Sequence, residues 1–255
     1  MITLGIDVGS LTTKSLILED SNILSSALLP TSEDASISAT KATEQALKSA
    51  GLSLNQIDHI ASTGIGKSYV PYPTRLVAEA RCDIIGSRFL YPSARGVVDI
   101  GADNARAVKC DPKGNVVDFA SNDKCAAGTG VFLDTMAKVL EITPEELQEL
   151  HQAEEEVSIA STCAVFAESE VVSLIHKGGV NRFDIWKGIN NSIAGRIYSL
   201  VSKLRIEGEI AVIGGVARNA DFIASLGKMM ESKLLVPPHP QIVGALGAAI
   251  IAKRG

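Results

Sequence analysis

Short apolar runs separated by turn formers open the chain. Residues 2–8, 12–19 and 23–29 read as three strands, broken by Gly9-Ser10 and by Asp20-Ser21-Asn22. This predicts a β-meander. The apolar spacing then becomes helical over residues 36–49, closed by Gly51, and returns to a strand over 57–63, closed by Gly64. At Val97 the pattern starts again, with strands over 97–101, 106–109 and 116–120. The run Gly5-Ile6-Asp7-Val8-Gly9-Ser10 is matched by Val97-Val98-Asp99-Ile100-Gly101-Ala102, so the chain reads as a duplication.

Beyond the second meander the pattern is mostly helical, over residues 129–140, 144–153, 164–176, 184–204 and 221–232. One strand interrupts it, 209–213, ending in Gly214-Gly215. A final helix over 244–253 is rich in Gly and Ala, which permits close approach of another backbone or a ligand. With no low-complexity linker, the boundary is placed near Arg95. The expected division is an N-terminal lobe over 1–95 and a C-terminal lobe over 96–255, with the final helix packing back on the first.

Length and composition fit this division. The 255 residues suffice for two modest cores without staples. Apolar residues make up 46% and charged residues 21%, an ordinary globular balance. A net charge of -5 with no Lys/Arg run argues against a nucleic-acid surface. No apolar stretch reaches the roughly 18 to 20 residues of a membrane span, and the N-terminus has no secretory pattern. The sequence therefore reads as cytoplasmic, where Cys82, Cys110, Cys125 and Cys163 would be thiols or ligands rather than disulfides.

Beside Asp7, the segment Gly9-Ser10-Leu11-Thr12-Thr13-Lys14 offers a turn, backbone N–H groups, hydroxyls and a cation, the inventory a polyphosphate needs. It is neither a P-loop nor a dinucleotide fingerprint. On the repeated strands Asp7 and Asp99 would face each other across a cleft, where hydrated Mg2+ sits between carboxylates and phosphates. Gly214-Gly215-Val216-Ala217, after a strand, is shaped to let a base and ribose lie against backbone. Each piece alone reads more often as a turn, a cap or a tight bend.

In this order the three segments resemble the acetate and sugar kinase, heat-shock ATPase and actin superfamily, over nearly the whole chain. The resemblance implies an α/β fold of two ribonuclease-H-like lobes closing on ATP or ADP and Mg2+. Under it Gly101, Ala102 and Asp103 belong to the second phosphate segment. Gly128, Thr129, Gly130, Val216, Ala217 and Gln241 are further candidate cofactor contacts.

Two cysteines stand near expected helix starts, in Asn122-Asp123-Lys124-Cys125-Ala126-Ala127-Gly128-Thr129-Gly130 and in Cys163-Ala164-Val165-Phe166-Ala167-Glu168-Ser169-Glu170. A helix N-terminus favours thiolate and an anionic cluster. Cys82 and Cys110 lack such context and read as small buried hydrophobes. The two motifs resemble the activators of 2-hydroxyacyl-CoA dehydratases, in the wider family that includes ATPase subunits of benzoyl-CoA reductase. The resemblance implies that Cys125 and Cys163 bind half of a 4Fe-4S cluster, a second copy of the chain supplying the rest. Such a cluster takes about four thiolates, and a two-fold homodimer provides them.

The implied activity is ATP-driven, low-potential transfer of one electron to an iron–sulfur partner, after reduction by ferredoxin or flavodoxin. The partner would be a dehydratase or a double-cubane cluster protein. Where the family has Asp-Ile-Gly-Gly-Gln-Asp-Ser-Lys, this chain has Asp99-Ile100-Gly101-Ala102-Asp103-Asn104-Ala105-Arg106, and Gly-Tyr-Gly-Arg becomes Gly64-Ile65-Gly66-Lys67. Asp103 in place of a neutral Gln adds repulsion near phosphates. For polarising water the candidates are Glu168 or Glu170. The competing readings are a small-molecule kinase of the same fold and a nucleotide-dependent binding module in which the cysteines are structural.

Overall fold

The first apolar run becomes the central strand of one sheet, and its repeat becomes the central strand of another. The computed structural model describes residues 1–122, 129–151, 157–159, 164–231 and 233–253. In the first sheet β1 (Ile2–Val8), β2 (Thr12–Glu19) and β3 (Asn22–Pro30) form the meander, and β4 (His59–Thr63) and β5 (Arg75–Leu76) continue it in the order β3-β2-β1-β4-β5. The crossover to β4 is α1 (Ala35–Ala50). Asp34 caps its start by accepting from the N–H groups of Ser36 and Ile37, and Gly51 ends it at φ +67°.

The second sheet repeats this order. β6 (Gly96–Ile100), β7 (Ala105–Cys110) and β8 (Val116–Asn122) form a meander, and β9 (Ile210–Ile213) lies parallel to β6, giving β8-β7-β6-β9. Its crossover is long. It contains α3 (Gly130–Val139), α4 (Ala164–Lys177) and α5 (Arg182–Ser202), and α6 (Ala220–Met230) follows β9. These helices share one core with the second sheet, centred on the fully buried Trp186 and Phe222. Each buried side chain of this kind contributes about 1.5 to 3 kcal/mol.

Two helices lie between the sheets. α7 (Val243–Ala252) packs Ala245, Leu246 and Ala249 on Leu16 and Leu18 of β2, and its Val243 joins Val97 and Ile213 of the second sheet. α2 (Glu79–Leu90) contributes Ile84 to that second cluster and Cys82 to a cluster with Ala61, Ala248 and Ile251. Cys82 and Cys110 are buried free cysteines, as their surroundings in the sequence suggest.

One expected helix needs correction, and one helix was not expected. Over its described residues, 144–151, the helix expected over 144–153 is a single 3-10 turn at Glu146–Gln148, because Glu149 turns extended at ψ 147° and the backbone N–H of His151 donates to Asp221 Oδ1 at 3.1 Å instead of continuing a helix. α2 escaped the periodicity because its buried face carries Asp83, Gly86 and Ser87 among the apolar residues, which interrupts the stripe. Among the described residues, no helix is long and apolar enough to cross a membrane.

Candidate nucleotide site

Asp7 and Asp99 occupy equivalent places. Asp7 pairs with Lys14 across β1 and β2 and with Thr63 across β1 and β4. Asp99 pairs with Arg106 across β6 and β7 and with Ile213 across β6 and β9. Both turns close alike: Gly9 N–H donates to Thr12 O at 3.1 Å, and Gly101 N–H donates to Asn104 O at 2.9 Å. After the parallel partner strand, Gly64 and Gly214 take φ +87° and +88°. A Cβ at Gly64 would stand 2.6 Å from Asp7 Oδ1, and a Cβ at Gly214 would stand 2.6 Å from Asp99 Oδ1. Glycine is thus required twice, by backbone conformation and by the neighbouring carboxylate.

Between the two turns lies a cavity of about 360 Å3, of a size that holds small ligands. Asp7, Gly9, Ser10, Leu11, Thr12 and Lys14 line one side; Asp99, Gly101, Ala102, Asp103 and Gly130 line the other; Gly214, Gly215, Val216 and Gln241 complete the wall. Thr13 lies behind the wall, fully buried, its hydroxyl 2.8 Å from Thr31 Oγ1, and Thr31 in turn donates to Gly9 O. Thr129 is the buried residue preceding α3, and Ala217 is also buried outside the lining. Glu168 is exposed on α4 and does not line the cavity. Gly128, Cys125 and Cys163 lie outside the described residues.

The cavity also gathers Thr63, Glu79, Asp83 and Gln148, which the motifs do not single out, and Asn219, which ends the segment that begins with the paired glycines. Thr63 follows from register alone once β4 is paired with β1. Glu79 and Asp83 are four apart on α2, a spacing that puts both on one helix face, but the helix itself was not read from the pattern. Asn219 does two jobs: its Nδ2 donates to Asn190 Oδ1 at 2.8 Å, and its Oδ1 caps α6 by accepting from Phe222 N–H.

Charge in the cavity is dominated by carboxylates. Lys14 Nζ is 3.1 Å from Asp7 Oδ2. Arg106, nearly buried, donates through Nη1 to Asp83 Oδ2 and through Nη2 to Glu79 Oε2, both at 3.0 Å. Burial pushes Asp99 above the ordinary carboxylate range, with Arg106 opposing the shift and Asp7 adding to it. Burial, helped by the charge of Asp99, pushes Asp83 well above it in the same way, against the pull of Arg106. Six carboxylates line the cavity (Asp7, Glu79, Asp83, Asp99, Asp103 and Asp134) against two lining cations, Lys14 and Arg218, with Arg106 behind the wall, which leaves negative charge for a cation to neutralise.

The residues fit a nucleotide on one direct observation. A Cβ at Gly215 would meet nothing nearer than Gln241 Nε2 at 3.8 Å, so the bare backbone there faces open cavity that a flat group can fill. Among the described residues, no three His, Cys, Asp or Glu side chains converge on one metal position, so a cation between Asp7 and Asp99 would complete its shell with phosphate and water. The two cysteines read as iron–sulfur ligands, Cys125 and Cys163, lie outside the described residues; α4 begins at Ala164.

Two meanders of one strand order, opposed aspartates and a glycine-walled cavity between them define an ATPase of the actin and sugar-kinase fold. A ROK family glucokinase from Streptomyces griseus in complex with glucose and AMPPNP shares that fold, with a TM-score of 0.62 at 14% identity over 100% of each chain. Residues 4–252 match the BadF/BadG/BcrA/BcrD ATPase family, and the chain belongs to it. It is 40% identical over 253 residues to the activator of lactoyl-CoA dehydratase of Anaerotignum propionicum, covering 99% of this chain and 97% of the relative. The solved activator of the 2-hydroxyisocaproyl-CoA dehydratase from Clostridium difficile, with bound ADPNP, superposes with a TM-score of 0.92 at 37% identity, covering 99% of this chain and 94% of that one.

Proposed function

We propose that this protein is an ATP-dependent activator that passes a single low-potential electron to an iron–sulfur partner, such as a 2-hydroxyacyl-CoA dehydratase or a double-cubane cluster protein. The observation that carries the nucleotide half of this reading is the pairing of Asp7 and Asp99 at equivalent turns across one cavity, with Gly215 open to it. The dehydratase half is supported by relatives named as activators of such enzymes.

In this reading the Gly9–Lys14 turn and the Gly101 turn bind the phosphates. Lys14 neutralises part of their charge, and Asp7 and Asp99 hold hydrated Mg2+. The wall at Gly214, Gly215 and Val216, with Gln241 opposite, receives adenosine. Cys125 and Cys163 of two copies would hold one 4Fe-4S cluster, which supplies a one-electron carrier of tunable potential. α2 and α7 lie between the two sheets, so closure of the halves on ATP moves them, and ATP shifts that equilibrium only by its preference for the closed form. Ferredoxin or flavodoxin would be the electron donor.

Anaerobic purification tests the reading. A brown protein with about four irons and four sulfides per dimer, hydrolysing Mg-ATP, is the expected result. A colourless anaerobic preparation that phosphorylates a small molecule would contradict it.

A further inference from the structure

Between Thr143 and His151 the chain supplies part of the cavity wall, through Pro144, Leu147 and Gln148. Little apolar packing holds it there. Leu147 alone of this segment packs on the core around Trp186 and Phe222, and Leu150 is 62% exposed. One half-buried side chain does not offset the entropy of ordering a segment of this length.

Polar and ring contacts fasten it instead, to α5 and α6. Glu146 accepts from the N–H of Thr143 at 2.8 Å and from Arg182 Nη2 at 2.6 Å. The His151 ring stacks on Phe183 with centroids 4.1 Å apart, and its Nδ1 lies 2.8 Å from Asp221 Oδ2 while its backbone N–H donates to Oδ1. Asp221, 1% exposed, also accepts from Lys187 Nζ at 3.3 Å. None of Arg182, Phe183, Lys187 and Asp221 lines the cavity. Asp221 lies in the first turn of α6, two residues after Asn219, which does line the cavity and caps that helix. One buried carboxylate thus ties the 143–151 segment to the wall that begins at Gly215.

Resting on the nucleotide reading above, we propose that Asp221 and His151 are positioning residues for nucleotide binding, which clamp the 143–151 segment at a fixed spacing from the Gly215–Asn219 wall. The clamp touches no ligand. It acts by ordering Pro144, Leu147 and Gln148 before the nucleotide arrives, so that binding does not bear the cost of ordering them. A buried carboxylate suits this role because its hydrogen bonds to charged or polar donors are directional and costly to leave unmade. The same chain length without the clamp would still supply the wall residues, but in many arrangements.

The test measures calorimetric ADP affinity, Mg-ATP turnover and melting temperature for the full-length wild type, His151→Phe, His151→Gln, Asp221→Ala and the double variant His151→Phe with Asp221→Ala. His151→Phe keeps a ring to stack on Phe183 and removes only the ring hydrogen bond. His151→Phe and Asp221→Ala are expected to lose about tenfold in ADP affinity and to raise KM for ATP by a similar factor, with kcat changed by less than about threefold. His151→Gln, whose amide can donate to Asp221, should recover most of the loss. The double variant should lose no more affinity than Asp221→Ala alone. Wild-type ADP affinity in His151→Phe, with only the melting temperature lowered, overturns the assignment by making the contact structural, and leaves the nucleotide reading standing. Affinity losses that add in the double variant overturn it as well. If Asp221→Ala does not fold, the two His151 variants decide. No ADP binding by the wild type would instead remove the nucleotide reading itself.

Discussion

Lys14 and Arg106 stand at the same register position in the two sheets, yet Lys14 turns to the aspartate paired with it and Arg106 turns away, to Asp83 and Glu79. The duplicated halves have therefore divided their cations. One faces the cavity, and the other is buried as a link between β7 and α2.

That link predicts a stability cost. Removing one partner of a buried ion pair leaves uncompensated charge and costs about 3 to 5 kcal/mol. Arg106→Met should lose an amount of this order in urea unfolding. Arg106→Met combined with Asp83→Leu should lose much less than the sum of the single changes, because the orphaned carboxylate is gone. Additive losses would mean that the pair does not couple the two elements.

The burial of Asp99 predicts a pH dependence. Its pKa is raised in the folded state, so between the ordinary aspartate value of 3.8 and the raised value the folded protein binds more protons than the unfolded one. Stability then falls as pH rises through this window. Relative to Asp99→Asn, the wild type without nucleotide or divalent cation should lose melting temperature as pH is raised from about 4 toward neutrality, and Mg2+ with ADP should restore it. A constant difference between the two proteins across that range would contradict the assignment.

Gly215 gives a separable prediction. Its missing Cβ has room in the protein, with Gln241 Nε2 the nearest atom at 3.8 Å. Gly215→Val should therefore fold with nearly wild-type stability while losing at least about tenfold in nucleotide affinity, equivalent to about 1.4 kcal/mol. Calorimetric titration with ADP that returned wild-type affinity would move adenosine elsewhere.

The cysteines can be tested by iron content. In the shared arrangement, Cys125→Ala or Cys163→Ala removes two of about four ligands at once, because two-fold symmetry repeats the loss. Iron and sulfide should collapse in both variants, ATP binding should persist, and Cys82→Ala or Cys110→Ala should leave the cluster content unchanged. Full iron occupancy in Cys163→Ala would exclude a bridging cluster.

Much of this arrangement was legible in the chain because short strands ending in turn formers announce themselves locally. The duplicated Asp-x-Gly turns led directly to the two sheets, and the register then carried Asp7 and Asp99 to matching positions. What stayed hidden depended on contacts distant in sequence. Glu79 and Asp83 gain their meaning only from Arg106, 27 and 23 residues away, and their helix was masked by polar residues on its buried face. The short turn at Glu146–Gln148 replaced a helix for a similar reason: Asp221, 70 residues on, takes the N–H of His151. Glu168 drew notice from a motif, but local sequence carries no information on whether a side chain faces the cavity.

Coupling of ATP to electron movement is the central claim, and one experiment reaches it. The anaerobic protein is reduced with dithionite, freed of excess reductant and mixed with an oxidised 2-hydroxyacyl-CoA dehydratase or double-cubane cluster protein, while the reduced cluster signal is followed by electron paramagnetic resonance. The account predicts that the signal is lost rapidly with Mg-ATP, slowly with Mg-ADP, and slowly with Mg-ATP when Asp7 is changed to Asn. Equal rates of loss with and without ATP would contradict it.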